Sequence, residues 1–81
     1  MPITISRHAK RRIALYEIDP GDILAIIKRY MKEKHTSEGK HIVVDQNAVG
    51  KYGFPLKIAF TIEGSKITVI TAYPLKKGVN K

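Results

Sequence analysis

The chain predicts an α+β fold in which two N-terminal helices pack on an antiparallel sheet of three or four strands. Three observations carry this expectation. Apolar residues recur at helical spacing as far as about Lys34 and alternate after Gly39. Asp19-Pro20-Gly21-Asp22 has the chemistry of a helix start: an acceptor to cap, a proline for the first helical position and an acid for the positive end of the dipole. Glu63-Gly64-Ser65-Lys66 joins two alternating runs through a two-residue turn. Helices followed by consecutive strands read as α+β rather than as alternating βα units.

The elements follow in order. Ser6 is placed to cap a helix from Arg7 to about Tyr16. At about 100° per residue, Ala9, Ile13 and Tyr16 share one apolar stripe. His8 and Arg12 sit together on the border of that stripe, while Arg7, Lys10 and Arg11 point to solvent. In the second helix, Ile23, Ile26, Ile27 and Tyr30 form the stripe, widened by Leu24 and Met31, and Lys28, Arg29 and Lys32 face away. It should end near Lys34, before a loop through Ser37 and Gly39.

His41 to Asp45 is β-branched and strand-like. The stretch from Asn47 to Pro55, with Gly50 and Gly53, reads as a loop with room for a short strand. Leu56, Ile58, Phe60 and Ile62 alternate with Lys57, Ala59 and Thr61, the mark of a half-buried strand. On the returning strand, unbroken alternation puts Ile67, Val69, Thr71 and Tyr73 on one face, and Pro74 stops it.

Length and charge narrow the function. Eighty-one residues suit a single domain over residues 1–81, with 76–81 expected to fray. Fifteen Lys or Arg against seven Asp or Glu give a net charge of +8, with a surplus of four in residues 1–40 and four in 41–81. The excess is therefore not a basic tail, and it favours an anionic partner, most simply nucleic acid. The absence of cysteine excludes disulfides, thiolate metal sites and a thiol nucleophile. The longest apolar run, Ile23 to Ile27, is five residues, against ~20 for a bilayer span, and no apolar signal core precedes the basic residues near the start. The expectation is a cytoplasmic protein without membrane association.

Familiar catalytic signatures are absent: there is no Gly-rich phosphate loop, no His-Glu zinc pair and no nucleophile elbow. The histidines at 8, 35 and 41 have no regular ligand spacing, so neither metal nor cofactor is expected. Two places remain where chemistry could reside: the His8/Arg12 pair and the end of the last strand.

His8-Ala9-Lys10-Arg11-Arg12, followed by Ile18 and a capped second helix, resembles the H-A-x-x-R opening of the DUF4258 family. Ile67-Thr68-Val69-Ile70-Thr71-Ala72-Tyr73-Pro74 is similar to that family's final strand, and Leu56-Lys57-Ile58-Ala59-Phe60 to the strand before it. The resemblance covers about residues 4 to 75. It implies a RelE-like fold, similar to the RelE and BrnT toxins, with metal-independent endoribonuclease activity and a small acidic antitoxin as partner. Related sequences often carry a second arginine where this chain has Tyr16, so a phosphate contact there is not carried over.

Physical chemistry supplies matching roles. RNA is cut without metal when its 2′-hydroxyl attacks the adjacent phosphorus, which calls for a base, an acid and positive charge on the phosphate. His8 suits either proton role. Arg12 offers a forked grip on phosphate, with Lys51 and Arg11 adding charge. Tyr73 can donate a proton or stack on a base, and Thr71 can hydrogen-bond the phosphate. Each residue also has a purely structural role open to it: His8 at a helix start, Arg12 and Lys51 as solvated cations, Tyr73 in the core, Thr71 as a strand former. Two rival readings keep the fold: a non-catalytic RNA-binding module, and a docking protein for an acidic partner. An exposed strand edge in so small a sheet also makes a homodimer an expectation.

Overall fold

The computed structural model describes residues 3–33 and 37–75. The α+β expectation holds, and the elements run β1 (Ile3–Ile5), α1 (Arg7–Leu15), α2 (Pro20–Glu33), β2 (Gly39–Asp45), a 3-10 turn (Gln46–Ala48), α3 (Val49–Tyr52), β3 (Leu56–Glu63) and β4 (Lys66–Pro74). The expected fraying of 76–81, and the position of His35, lie outside the described residues.

The sheet is mixed rather than wholly antiparallel. Its strand order is β1-β4-β3-β2, and β1 pairs parallel to β4, with Ile3 beside Ile67 and Ile5 beside Val69. Three residues are too few to show alternation, so Ile3–Ile5 carried no strand signal of its own. The loop expected at 47–55 holds a 3-10 turn and one helical turn instead of a short strand.

Both long helices cover one face of the sheet. Ala9, Ile13 and Ile18 meet Ile23, Ile26 and Ile27 over Leu56, Ile58, Phe60, Ile62, Ile67, Val69 and Ala72 in a single buried cluster. Tyr16 and Tyr30 pack against it, as their stripe positions predicted. The opposite face carries no helix among the described residues. It presents Thr61, Thr68 and Thr71 together with Lys57, Ile42 and Val44.

A bulge in the β3–β4 pairing decides which side chains reach that uncovered face. From the turn, Glu63 pairs with Lys66, Ile62 with Ile67 and Phe60 with Val69, but Ala59 then pairs with Thr71, leaving Ile70 as an extra residue. One inserted residue reverses the side-chain alternation beyond it. The sequence-based expectation that Thr71 and Tyr73 share a face with Ile67 and Val69 is therefore corrected. Ala72 takes the core position opposite Ile58, while Thr71 and Tyr73 turn to the uncovered face opposite Ala59 and Lys57.

Ser6 locks this bulge to the start of α1. Its N–H donates to the Val69 carbonyl at 3.0 Å, and its hydroxyl donates to the Ile70 carbonyl at 3.0 Å. The same hydroxyl accepts the Ala9 N–H at 3.1 Å, which is the predicted N-cap. At its other end α1 closes with Ile18 N–H on the Ile13 carbonyl and Glu17 N–H on the Ala14 carbonyl, a Schellman arrangement completed by burial of Ile13 and Ile18. Glu17 holds φ 54° at the position where glycine is usual.

Asp19 caps α2 as expected, its carboxylate accepting the Gly21 N–H at 2.8 Å. In the β3–β4 turn Gly64 supplies a φ of 61°, which a residue with a Cβ adopts only at a cost.

Two thermal-melt outcomes follow. Ser6→Ala removes both the cap and the partner of the bulge carbonyl and should destabilise the fold by about 1–2 kcal/mol. Glu17→Gly relieves the left-handed strain and should stabilise it by about 1 kcal/mol, raising Tm by roughly 4–8 °C.

Candidate nucleic-acid interface

The sequence-predicted site residues fall into three places. His8, Arg11 and Arg12 lie on α1, Thr71 and Tyr73 on the outer half of β4, and Lys51 on α3. The Ser6 contacts start α1 beside Ile70, and its far end meets Pro74 and Leu56 around a shallow groove lined by Leu15 and Tyr16. The helix therefore accompanies the second half of β4. Because β1 reaches only to Val69, no strand covers the outer edge of β4 beyond that point among the described residues.

On α1, the apolar stripe fixes the rest of the helix. Ala9 and Ile13 are fully or nearly fully buried, which leaves Arg7, His8, Lys10 and Arg11 exposed and Arg12 half-buried. Residues 1–16 contain four Lys or Arg and no Asp or Glu. None of these four cations has a carboxylate partner among the described residues.

The acids lie elsewhere. Asp19 and Asp22 face Lys51, at 3.8 and 2.8 Å, and Asp45 binds Arg29 at 2.8 Å. Of the nine described Lys and Arg side chains without a carboxylate partner, four lie on α1, in a stretch that holds no acid. Exposed cations held together by a helix raise the local anion concentration and steer a polyanion toward them.

On the uncovered sheet face, Lys57 and Tyr73 are direct cross-strand neighbours, with the ammonium 5.9 Å from the ring centroid. Such a pair presents a ring face backed by a cation, suited to stacking a base beside a phosphate. Thr71 lies opposite Ala59 on the same face. Helix α1 packs against the other face, so His8 and Arg12 lie on the helix side of the sheet while Thr71 and Tyr73 lie on the uncovered side. Sequence reasoning missed Lys57, since its pairing with Tyr73 depends on the unpaired Ile70.

Lys51 is committed to a different structure. It donates to Asp22, and the Tyr52 hydroxyl donates to the same carboxylate at 2.5 Å while accepting the Asp19 N–H at 3.0 Å. This cluster ties α3 to the start of α2. Hydrogen bonds from Lys51 and Tyr52 hold the Asp22 carboxyl below its ordinary range, and the bond to Asp22 raises the Lys51 ammonium. Desolvation, followed by the bond to Asp22, raises the Tyr52 phenol. The placement makes Lys51 a fastener of α3 with its charge already matched.

His41 is built into the core margin. Its ring stacks on Phe60 at 5.6 Å, and Nε2 lies 2.7 Å from the Ser37 carbonyl. Among the described residues no group of three His, Asp or Glu side chains has the geometry to hold a metal ion. No helix there is long and apolar enough to cross a membrane.

No family model, curated protein or solved structure matches the chain.

The Asp22 cluster has a defined pH signature. A carboxyl whose folded pKa is lowered contributes stability that is present above its ordinary value and is lost as pH falls through the folded value. Asp22→Asn should therefore lower Tm at neutral pH, and the gap to the parent should close in strongly acidic solution. A gap independent of pH would assign the loss to the hydrogen bonds alone.

Proposed function

We propose that this protein is a small toxin-type endoribonuclease that cuts RNA without a metal, by attack of the 2′-hydroxyl on the adjacent phosphorus. The observation that carries the reading is the placement of His8 and Arg12, one turn apart, on a helix whose four cations have no carboxylate partner among the described residues. Arg7, Lys10 and Arg11 draw in the backbone. Arg12 grips the scissile phosphate with its planar fork, stabilising the charge that builds up on it. The phosphorus–5′-oxygen bond breaks as the 2′-oxygen bond forms; His8 either takes the 2′-hydroxyl proton as base or supplies a proton to the departing 5′-oxygen as acid, with water serving the other transfer. Tyr73, with Lys57 beside its ring, and Thr71 receive the flanking nucleotide on the neighbouring sheet face.

The resemblance of His8-Ala9-Lys10-Arg11-Arg12 and of the β4 segment to DUF4258 sequences supports the same assignment, together with a RelE-like relationship. A small acidic antitoxin would neutralise α1 by covering the cations that RNA uses.

One observation favours a second reading, RNA binding without cleavage. The His8 side chain makes no hydrogen bond within the described residues, so no carboxylate or carbonyl there fixes its tautomer or ring orientation. A proton-transfer histidine is ordinarily held by such a partner. On the cleavage reading, the RNA itself must orient the ring.

Incubating the purified chain with single-stranded RNA in excess EDTA separates the two. The cleavage reading expects 2′,3′-cyclic phosphate ends, and His8→Ala should slow their formation by about 100-fold or more with binding retained. Intact RNA, or a His8→Ala variant as fast as the parent, leaves only the binding reading. Binding itself should weaken steeply with salt, and Arg12→Ala should reduce the log–log salt slope by about 0.7, the value for one phosphate contact on a single strand.

A further inference from the structure

Strand β2 forms one border of the sheet, and its outer edge has no neighbour among the described residues. It is seven residues long, about 23 Å, and pairs with β3 from Gly39 to Asp45 without a register shift. It carries no proline and no bulge, two of the devices that usually protect an edge. Two apolar side chains stand out on it: Ile42 is 50% exposed and Val44 40%. Both lie on the uncovered face, opposite Ala59 and Lys57.

We infer that β2 pairs with β2 of a second copy of this chain, joining the two sheets edge to edge into one eight-stranded sheet. A two-fold axis perpendicular to the sheet keeps the uncovered faces on the same side. Opposed residues must then have numbers of the same parity, which leaves few registers. With Val43 opposite Val43 of the second copy, Ile42 lies opposite Val44 and Val44 opposite Ile42, so both exposed side chains of each copy gain an apolar neighbour. The same register sets His41 beside Asp45 of the second copy and Lys40 beside Gln46. Shifting the axis to Ile42 instead places Lys40 against Val44, and shifting it to Val44 places Ile42 against Gln46. The Val43 register alone satisfies every exposed apolar position.

Charge supports a second copy as the occupant. On a chain of +8, most surfaces repel their own kind. The β2 border is locally neutral: Lys40 and Arg29 are matched by Asp45 and Glu33, and the groove between α2 and β2 is lined by Arg29, Glu33 and Asp45. Arg29 and Glu33 are one turn apart on the exposed flank of α2. The two-fold axis runs the two α2 helices antiparallel, which turns each Arg29 toward the Glu33 of the other copy. The α1 cations lie at the opposite border of the sheet, so pairing leaves them open to RNA and doubles their number.

Sedimentation equilibrium over a concentration series should give a species of twice the 9.1 kDa chain mass. A monomer at every concentration overturns the inference and leaves the edge to a strand from a different protein. Ile42→Lys and Val44→Lys, both at exposed positions, should each melt as the parent does at concentrations low enough to keep all three monomeric, yet raise the dimer dissociation constant by about tenfold or more. Unchanged dimerisation of both variants overturns it.

The register is tested separately in a chain with no cysteine of its own. An oxidised equimolar mixture of Ile42→Cys and Val44→Cys should form the mixed disulfide in preference to either self-linked product. Preferential self-linkage of Ile42→Cys overturns the proposed pairing.

Discussion

A single hydroxyl group holds the architecture in register. Ser6 ends β1, caps α1 and satisfies the carbonyl of the unpaired Ile70 in β4, so three elements meet on one side chain. An unpaired carbonyl at a partly buried bulge is costly, and a helix without a cap loses its first turn. Ser6 removes both penalties at once. Its position also decides which border of the sheet α1 occupies and therefore where the α1 cations are displayed. The bulge it stabilises turns Thr71 and Tyr73 out of the core and toward Lys57.

The distribution of partners matters more than the net charge. Seven acids face fifteen cations over the whole chain. Asp19 and Asp22 are taken by Lys51, Asp45 by Arg29, and Glu38 accepts the Gly64 N–H of the hairpin turn. Each of these contacts fastens one element to another, and each lies away from α1. The border at α2, α3 and β2 mixes acids with its cations, whereas α1 carries four cations in a stretch, residues 1–16, that holds no acid. A +8 charge spread evenly would give weak attraction everywhere. Segregation gives the molecule a direction.

The sequence made the fold largely legible because its strongest signals are local. The Asp19-Pro20 start, the Ser6 cap, the Ile-rich stripe of α2 and the Gly64 turn all involve residues a few positions apart, and all appear as read. The failures are non-local. Strand β1 exists because Ile3–Ile5 finds Ile67 to Val69, a pairing that leaves no trace in three residues. Counting back from the Gly64-Ser65 turn pairs Lys57 with Ala72, whereas the bulge pairs it with Tyr73. Nothing in the composition of Val69-Ile70-Thr71 marks the inserted residue, since all three are good strand formers. For the candidate site, the placement of His8 and Arg12 one turn apart on a helix was legible from the spacing. The matching of Lys51 by Asp22, 29 positions away, was not.

The bond between Ser6 and Ile70 spans 64 positions. Closing so long a loop is entropically slow, and it requires the last strand to be present. During synthesis, α1 is therefore made early but has nowhere to dock until β4 has emerged. Its basic face exists as chemistry well before it exists as a positioned surface. The order of the elements along the chain delays docking of the helix that carries His8 and Arg12 until β4, the last strand described, has been made. Assembly of the surface is thereby tied to the synthesis of β4, a form of timing written into topology alone.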